Sequence, residues 1–180
     1  MILKMFGDEL IKRLMAGERD FSHIELEPEF DFTKHDSYGE LKKYLHSRNL
    51  KDEPLILIQG SLVGANLSGL VLPYTKAYNA DMRRVKVMHG TWYHSIFHGT
   101  DLSHGKWLNT DLRCIDVYDA LISHTHFEKS DLRDILNLRL GKHIETANFR
   151  QARLNQSDIL AIDAAKKNKT LEQYAISQKR

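Results

Sequence analysis

One cysteine, three prolines and no long apolar run set the first limits on this 180-residue chain. Cys114 has no internal disulfide partner, so no disulfide framework holds the fold and a reducing compartment is permitted. Met1 to Leu14 carries Lys4, Asp8, Glu9 and Lys12 among its apolar residues and lacks the unbroken apolar stretch of a secretory signal. No segment approaches the roughly 20 apolar residues of a membrane-spanning helix. Charge of one sign is missing too: 26 basic and 24 acidic residues leave a net of +2. A dedicated nucleic-acid binder would show a basic stripe, and a mimic of nucleic acid an acidic one. There is no phosphate-cradling glycine loop, zinc-ribbon spacing or nucleophile motif. The expectation is a cytoplasmic, non-enzymatic protein with no cofactor, no direct nucleic-acid partner and no membrane.

What the chain does have is a five-residue rhythm. Leu57, Leu62, Leu67, Leu72, Ala77, Met82, Val87, Trp92, Phe97, Leu102, Trp107, Leu112, Val117, Ile122, Phe127 and Leu132 are apolar at every fifth position, sixteen in succession. In a helix, five residues rotate the side chain by about 500°, smearing the series around the cylinder. In an unbroken strand, an odd step sends alternate members to opposite faces. A turn is therefore required inside each unit, and the chain becomes a coil with a filled centre. The residue two before each centre points the same way by strand alternation, and most of these are small: Gly60, Ala65, Thr75, Ala80, Gly90, Ser95, Thr100, Gly105, Thr110.

The rhythm divides the chain. Residues 1–17 read as an N-terminal amphipathic helix with Leu3, Phe6, Leu10, Ile11 and Leu14 on one side and Gly17 as its stop. Units at Phe21 and Leu26 precede a charged, non-periodic insertion over residues 28–54, within which Ser37 to His46 is helical. The main block spans residues 55–159, with a slip near Asp134 to Gly141 and a resumption at Ile144, Phe149, Leu154 and Ile159. A C-terminal helix over residues 160–178 covers the open end, as a repeat stack requires. The whole is one domain, residues 1–180.

Ala65-Asn66-Leu67-Ser68-Gly69, Ala80-Asp81-Met82-Arg83-Arg84, Thr100-Asp101-Leu102-Ser103-His104 and Ala147-Asn148-Phe149-Arg150-Gln151 resemble the unit of the pentapeptide-repeat family, Ala-Asp/Asn-Leu-X-X. Ala16-Gly17-Glu18-Arg19-Asp20-Phe21-Ser22 resembles the entry to such an array. The resemblance implies an all-β solenoid, a right-handed quadrilateral β-helix of about five coils with 20 residues per coil and short helices around it. The residues alone support 20-residue stacking through Lys86 with Lys106, Asp111 with Asp131 and Arg113 with Arg133, whereas Trp92 with Trp107 fits a three-sided coil of 15. Two tryptophans at centres predict local widening between Ala77 and Trp107, or one ring partly outside.

Ten histidines, seven of them between His89 and His143, are the compositional excess. His89, His94, His98 and His104, or His104, His124 and His126, offer a metal or acid–base site; the plainer reading is a solvated surface that tolerates histidine. Cys114 with His94 one coil away offers a reactive pair against an inert thiol. An anion site on Arg113 and Arg133 stands against simple ion pairs with Asp111 and Asp131. The column Tyr78, His98, Tyr118 and the basic column Arg84, His104, His124 form the candidate protein-binding face, unless the insertion docks over the rings.

Three functions follow in order of support. The first is an interaction or scaffold rod binding an unidentified protein, as a monomer or as a homodimer through a terminal element. The second is inhibition or protection of DNA gyrase by imitating DNA, as implied by the quinolone-resistance group of the family, whose members are acidic rods. The eight acids and eight bases between Leu55 and Asp134 disfavour it. The third is an enzyme, which would need a pocket between insertion and rod.

Overall fold

The structure is a computed structural model and describes residues 2–177. The rhythm proves to be a backbone rhythm. Two residues after each centre the backbone takes a positive φ, from Gln59 (53°) through His89 (55°) to Asp134 (59°), at all sixteen successive positions. In most units the next N–H returns to the centre carbonyl, as in Gly60 to Leu57 and Ala120 to Val117, both 3.0 Å. Each unit is thus a short extended piece followed by a tight turn.

Asp or Asn directly before the centre stabilises that turn. Its side-chain oxygen accepts the backbone N–H two residues on, in Asp20–Ser22 at 2.9 Å, Asp101–Ser103 at 2.9 Å, Asp116–Tyr118 at 3.1 Å and Asn148–Arg150 at 2.9 Å. The Ala-Asp/Asn-Leu signature is this bond written in sequence.

Successive coils stack through four rows of parallel bridges: Ile56–Lys76–Ile96–Asp116, Ser61–Asp81–Asp101–Leu121, Asn66–Lys86–Lys106–His126 and Val71–Thr91–Asp111–Asp131. Each bridge links residues 20 apart, which removes the 15-residue alternative. In the third row two units lengthen into strands β3 (Lys86–Met88) and β4 (Lys106–Leu108). The slip after Asp134 raises the step, so Leu121 bridges Lys142 and His126 bridges Asn148.

At the N-terminal end, β1 (Leu3–Met5) pairs in parallel with β2 (Ile24–Leu26). Between them α1 (Gly7–Met15) buries Leu10, Ile11 and Leu14. Leu3 and Phe6, expected on that buried side, are exposed, because Leu3 belongs to β1 and Phe6 only precedes the helix. The insertion also starts later than Pro28. Asp31 still bridges Asn66 and Phe32 is buried like a centre, so three sides of the first coil exist. The fourth side has no bridged residue below Val71 among the described residues. There α2 (Tyr38–His46) packs in its place, burying Leu41 and Leu45, and Tyr38 Oη donates to the Ser68 carbonyl at 2.7 Å. At the other end α3 (Gln156–Ser177) begins early enough to include Ile159, which is therefore a helix residue and not a coil centre.

Inside, centres and the small residues two before them fill the core. Their hydroxyls are not orphaned. Thr110 Oγ1 donates to the Val87 carbonyl at 3.0 Å, Thr125 Oγ1 to Leu102 at 2.9 Å and Ser130 Oγ to Trp107 at 2.7 Å, always 23 residues back. Both indoles are inside: Trp92 is 0% and Trp107 1% exposed, packed edge-to-face at 5.4 Å with Phe97 beside them. No ring sits outside. The regular turn opens where β3 and β4 run on, after Val87 and Trp107.

Gly105 exists to admit the second indole. A Cβ there would lie 2.9 Å from both the Leu102 carbonyl oxygen and Trp107 Nε1. Gly105→Ala should lower stability by about 1–3 kcal/mol in urea unfolding. Gly39→Ala, in α2 with nothing within 4 Å, should instead be neutral or stabilising.

Candidate protein-docking face

The wall carrying the row Ile56–Lys76–Ile96–Asp116–Leu136 also presents Ile58, Tyr78, His98 and Tyr118, each one residue after a centre. Coil stacking makes these rings neighbours. Tyr78 and His98 meet edge-on at 5.4 Å between centroids, and His98 and Tyr118 at 5.6 Å. Tyr118 and Leu136 are half exposed, at 50% and 51%, and Ile56, Ile58 and Ile96 are half-buried. Charge is sparse and partly internal. His98 Nε2 lies 2.8 Å from Asp116 Oδ2, close but without hydrogen-bond alignment. Asn137 Nδ2 donates to Asp116 Oδ1 at 2.8 Å. Burial pushes the Asp116 carboxyl up, but the hydrogen bonds from Asn137 and the Tyr118 N–H, with the His98 ring close by, outweigh it, and its pKa lies below the usual range.

The insertion leaves this wall free. Its helix α2 sits beside Gly69 and Val71, and Tyr44 Oη accepts from Arg19 Nη2 at 2.9 Å. Where α2 meets the rod, an open groove of ≈ 360 Å³ is lined by Lys42, Lys43, His46, Ser47, Gly69 and Val71, while inside the coil beneath α1 lies an apolar void of ≈ 20 Å³ lined by residues such as Leu10, Phe21, Phe32 and Trp92.

The basic column stands elsewhere. Arg84, His104 and His124 lie at turn positions on the following unit, one wall round from the tyrosines. Arg84 reaches Glu29 Oε1 at 3.3 Å, and the rings of His104 and His124 stack at 5.2 Å. The expected face therefore separates into an aromatic wall and a basic corner. Sequence reasoning missed Ile96 and Leu136, although the 20-residue step from Ile56 through Lys76 points to both.

The histidine excess has a backbone cause. His89, His94, His104 and His124 all occupy positive-φ corners, a conformation that Asn, Asp and His adopt more readily than other side chains. His94 stacks flat on Tyr74 at 5.2 Å. Among the described residues no group of three His, Cys, Asp or Glu is arranged to hold a metal ion. Cys114 is a half-buried corner residue. Arg113 and Arg133 are each held by the aspartate two before, at 2.7 and 2.6 Å. Among the described residues no helix is long and apolar enough to cross a membrane.

Parallel bridges at a fixed step, an apolar centre and a left-handed corner in every unit define a solenoid of five-residue turns. No protein-family model and no curated protein matches the chain. Among solved structures it is similar to HetL, a pentapeptide repeat protein involved in heterocyst differentiation regulation from the cyanobacterium Nostoc. That match has 18% identity, covers 72% of this chain and 50% of HetL, and has a TM-score of 0.52. This chain spans about half the length of HetL. A pentapeptide repeat protein of the Arabidopsis thaliana thylakoid lumen matches at 18% identity over 49% of this chain and 57% of its own, TM-score 0.41. QnrB1, a plasmid-mediated fluoroquinolone resistance protein, matches at 12% identity over 81% of each chain, TM-score 0.28. The protein has the pentapeptide-repeat fold.

The arginine at Asp111 and at Asp131 lowers each carboxyl's pKa, as the bonds above do for Asp116. A depressed carboxyl contributes stability that is full above its unfolded pKa, near 3.9, and is lost as pH falls through the lower folded value. Unfolding free energy should therefore be level down to about pH 5 and fall below about pH 4, measured by urea titration. Replacing His89, His94 and His124 together by Asn should leave stability within about 0.5 kcal/mol per site, while Val at the same corners should cost about 1–2 kcal/mol each. Thermal unfolding reads both.

Proposed function

We propose that this chain is a non-enzymatic interaction protein of the cytoplasm, a right-handed, four-sided rod of about five coils whose Tyr78–His98–Tyr118 wall docks a partner protein. The observation that carries this reading is the stacked ring column, flanked by Ile56, Ile58, Ile96 and Leu136 and left uncovered by the insertion. Exposed aromatic residues on a firm surface favour protein interfaces, and parallel stacking makes this surface firm. Arg84, His104 and His124 border a separate surface and are not needed for this docking.

Imitation of DNA draws little support from the wall charges. Asp81, Asp111 and Asp131 each carry their own arginine at 2.6 to 2.7 Å, so these acids are neutralised in place on two of the walls. A photo-reactive phenylalanine at Tyr118 should give a discrete cross-linked species in cells, weakened at least tenfold by Tyr78→Ala. The same group at Arg113 should give none. Equal cross-linking at both positions, or indifference to Tyr78→Ala, would sink the wall as the docking surface.

A further inference from the structure

Cations on this rod are mostly neutralised where they stand. Arg83 is bound to Asp81 at 2.6 Å, Arg113 to Asp111 at 2.7 Å, Arg133 to Asp131 at 2.6 Å and Lys142 to Asp119 at 2.7 Å. Among the described residues of the rod Lys76, Lys129 and Arg139 also have no acidic partner within 4.0 Å, but at one place two such cations are direct partners on paired strands. An open groove of ≈ 450 Å³ is lined, among the described residues, by Arg84, Lys86, His104 and Lys106. Lys86 and Lys106 have no acidic partner within 4.0 Å among the described residues. Arg84 touches only the exposed Glu29, at 3.3 Å.

The fold forces these four together. Lys86 and Lys106 are direct partners in the pairing of β3 with β4, side chains outward on the same row. Like charges directly opposite on paired strands destabilise the pairing. Arg84 and His104 sit at the corners just before, both at positive φ, so their side chains flank the lysines in a two-by-two array. His104 is backed by the stacked His124 ring at 5.2 Å. Nothing in the core requires two lysines here, because both are exposed.

We propose that this groove is a binding site for a phosphate group, as free phosphate or as a phosphomonoester. A tetrahedral oxyanion matches the set. The guanidinium fork of Arg84 donates to two oxygens, the lysine ammoniums are point charges for the others, and the His104 ring N–H adds a directed bond. One dianion offsets the opposition of Lys86 and Lys106. The site lies apart from the tyrosine wall and does not rest on the docking reading.

The test uses inorganic phosphate and O-phosphoserine, with sodium chloride holding ionic strength constant. Wild-type protein should show a rise in melting temperature and saturable movement of the His104 ring signals in proton–carbon NMR spectra. The double variant Lys86→Gln, Lys106→Gln should bind at least tenfold more weakly and should melt no lower than wild type without the anion. Arg113→Gln should bind as wild type does. Response to both probes assigns the groove to a carried phosphate; response to inorganic phosphate alone assigns it to the free ion. A wild-type response matched by sodium chloride, an unchanged response in the double variant, or no saturable His104 movement overturns the site.

Discussion

The rest of the structure depends on one backbone constraint: at every fifth residue the chain turns through the left-handed region. For an L residue that conformation costs roughly 1–2 kcal/mol. Sixteen such corners in a row, from Gln59 to Asp134, are held by what each turn makes available. Each brings an apolar centre inward and places the next unit under its bridged partner one coil away, and where Asp or Asn precedes the centre an N–H is aimed at that side chain. Remove the stacking and the corners have nothing to hold them, so the coil is cooperative along its axis in the manner of other repeat arrays.

The interior obeys a second constraint. Narrow coils leave room for one large and one small side chain per unit, and the small ones are often Ser or Thr. Their hydroxyls satisfy carbonyls of the preceding coil, so a core that is polar in part has its polar groups bonded. The two indoles are the exception. Their Nε1 atoms have no partner among the described residues, and Gly90 and Gly105 are the space they take. Trp107 is the centre of β4, whose turn is opened, and Trp92 is the next centre after the opened turn of β3; the basic groove forms on the outside of those same strands.

Much of this was legible in the residues. The series from Leu57 to Leu132 implies the coil because no other arrangement keeps such residues on one side, but the residues leave 15- and 20-residue coils both open, and the 20-residue step comes from the family resemblance and is seen in the bridges. The corners were hidden. Tyr74, Arg84 and Cys114 adopt positive φ as readily as Gly64 in this setting, and nothing in side-chain type marks them. The insertion was misplaced at its start because Phe32 completes a side with one extra residue, which breaks the count without breaking the stack. The separation of Arg84 from Tyr78 could have been counted, since six residues carry the chain past a whole wall. The packing of α2 against Val71 could not, because it follows from a missing fourth side and not from its own sequence.

That missing side gives the rod a direction. A helix substitutes for strand at one end, so the first coil closes without offering a full set of bridging groups. Further coils can be added only in quanta of 20 residues within the regular stretch, where each insert would find the same four rows above and below it. In such a molecule, length is a countable property. The span between the aromatic wall's first and last rings, or between any two sites on the rod, could be altered in whole steps of about 4.8 Å without changing the chemistry at either end.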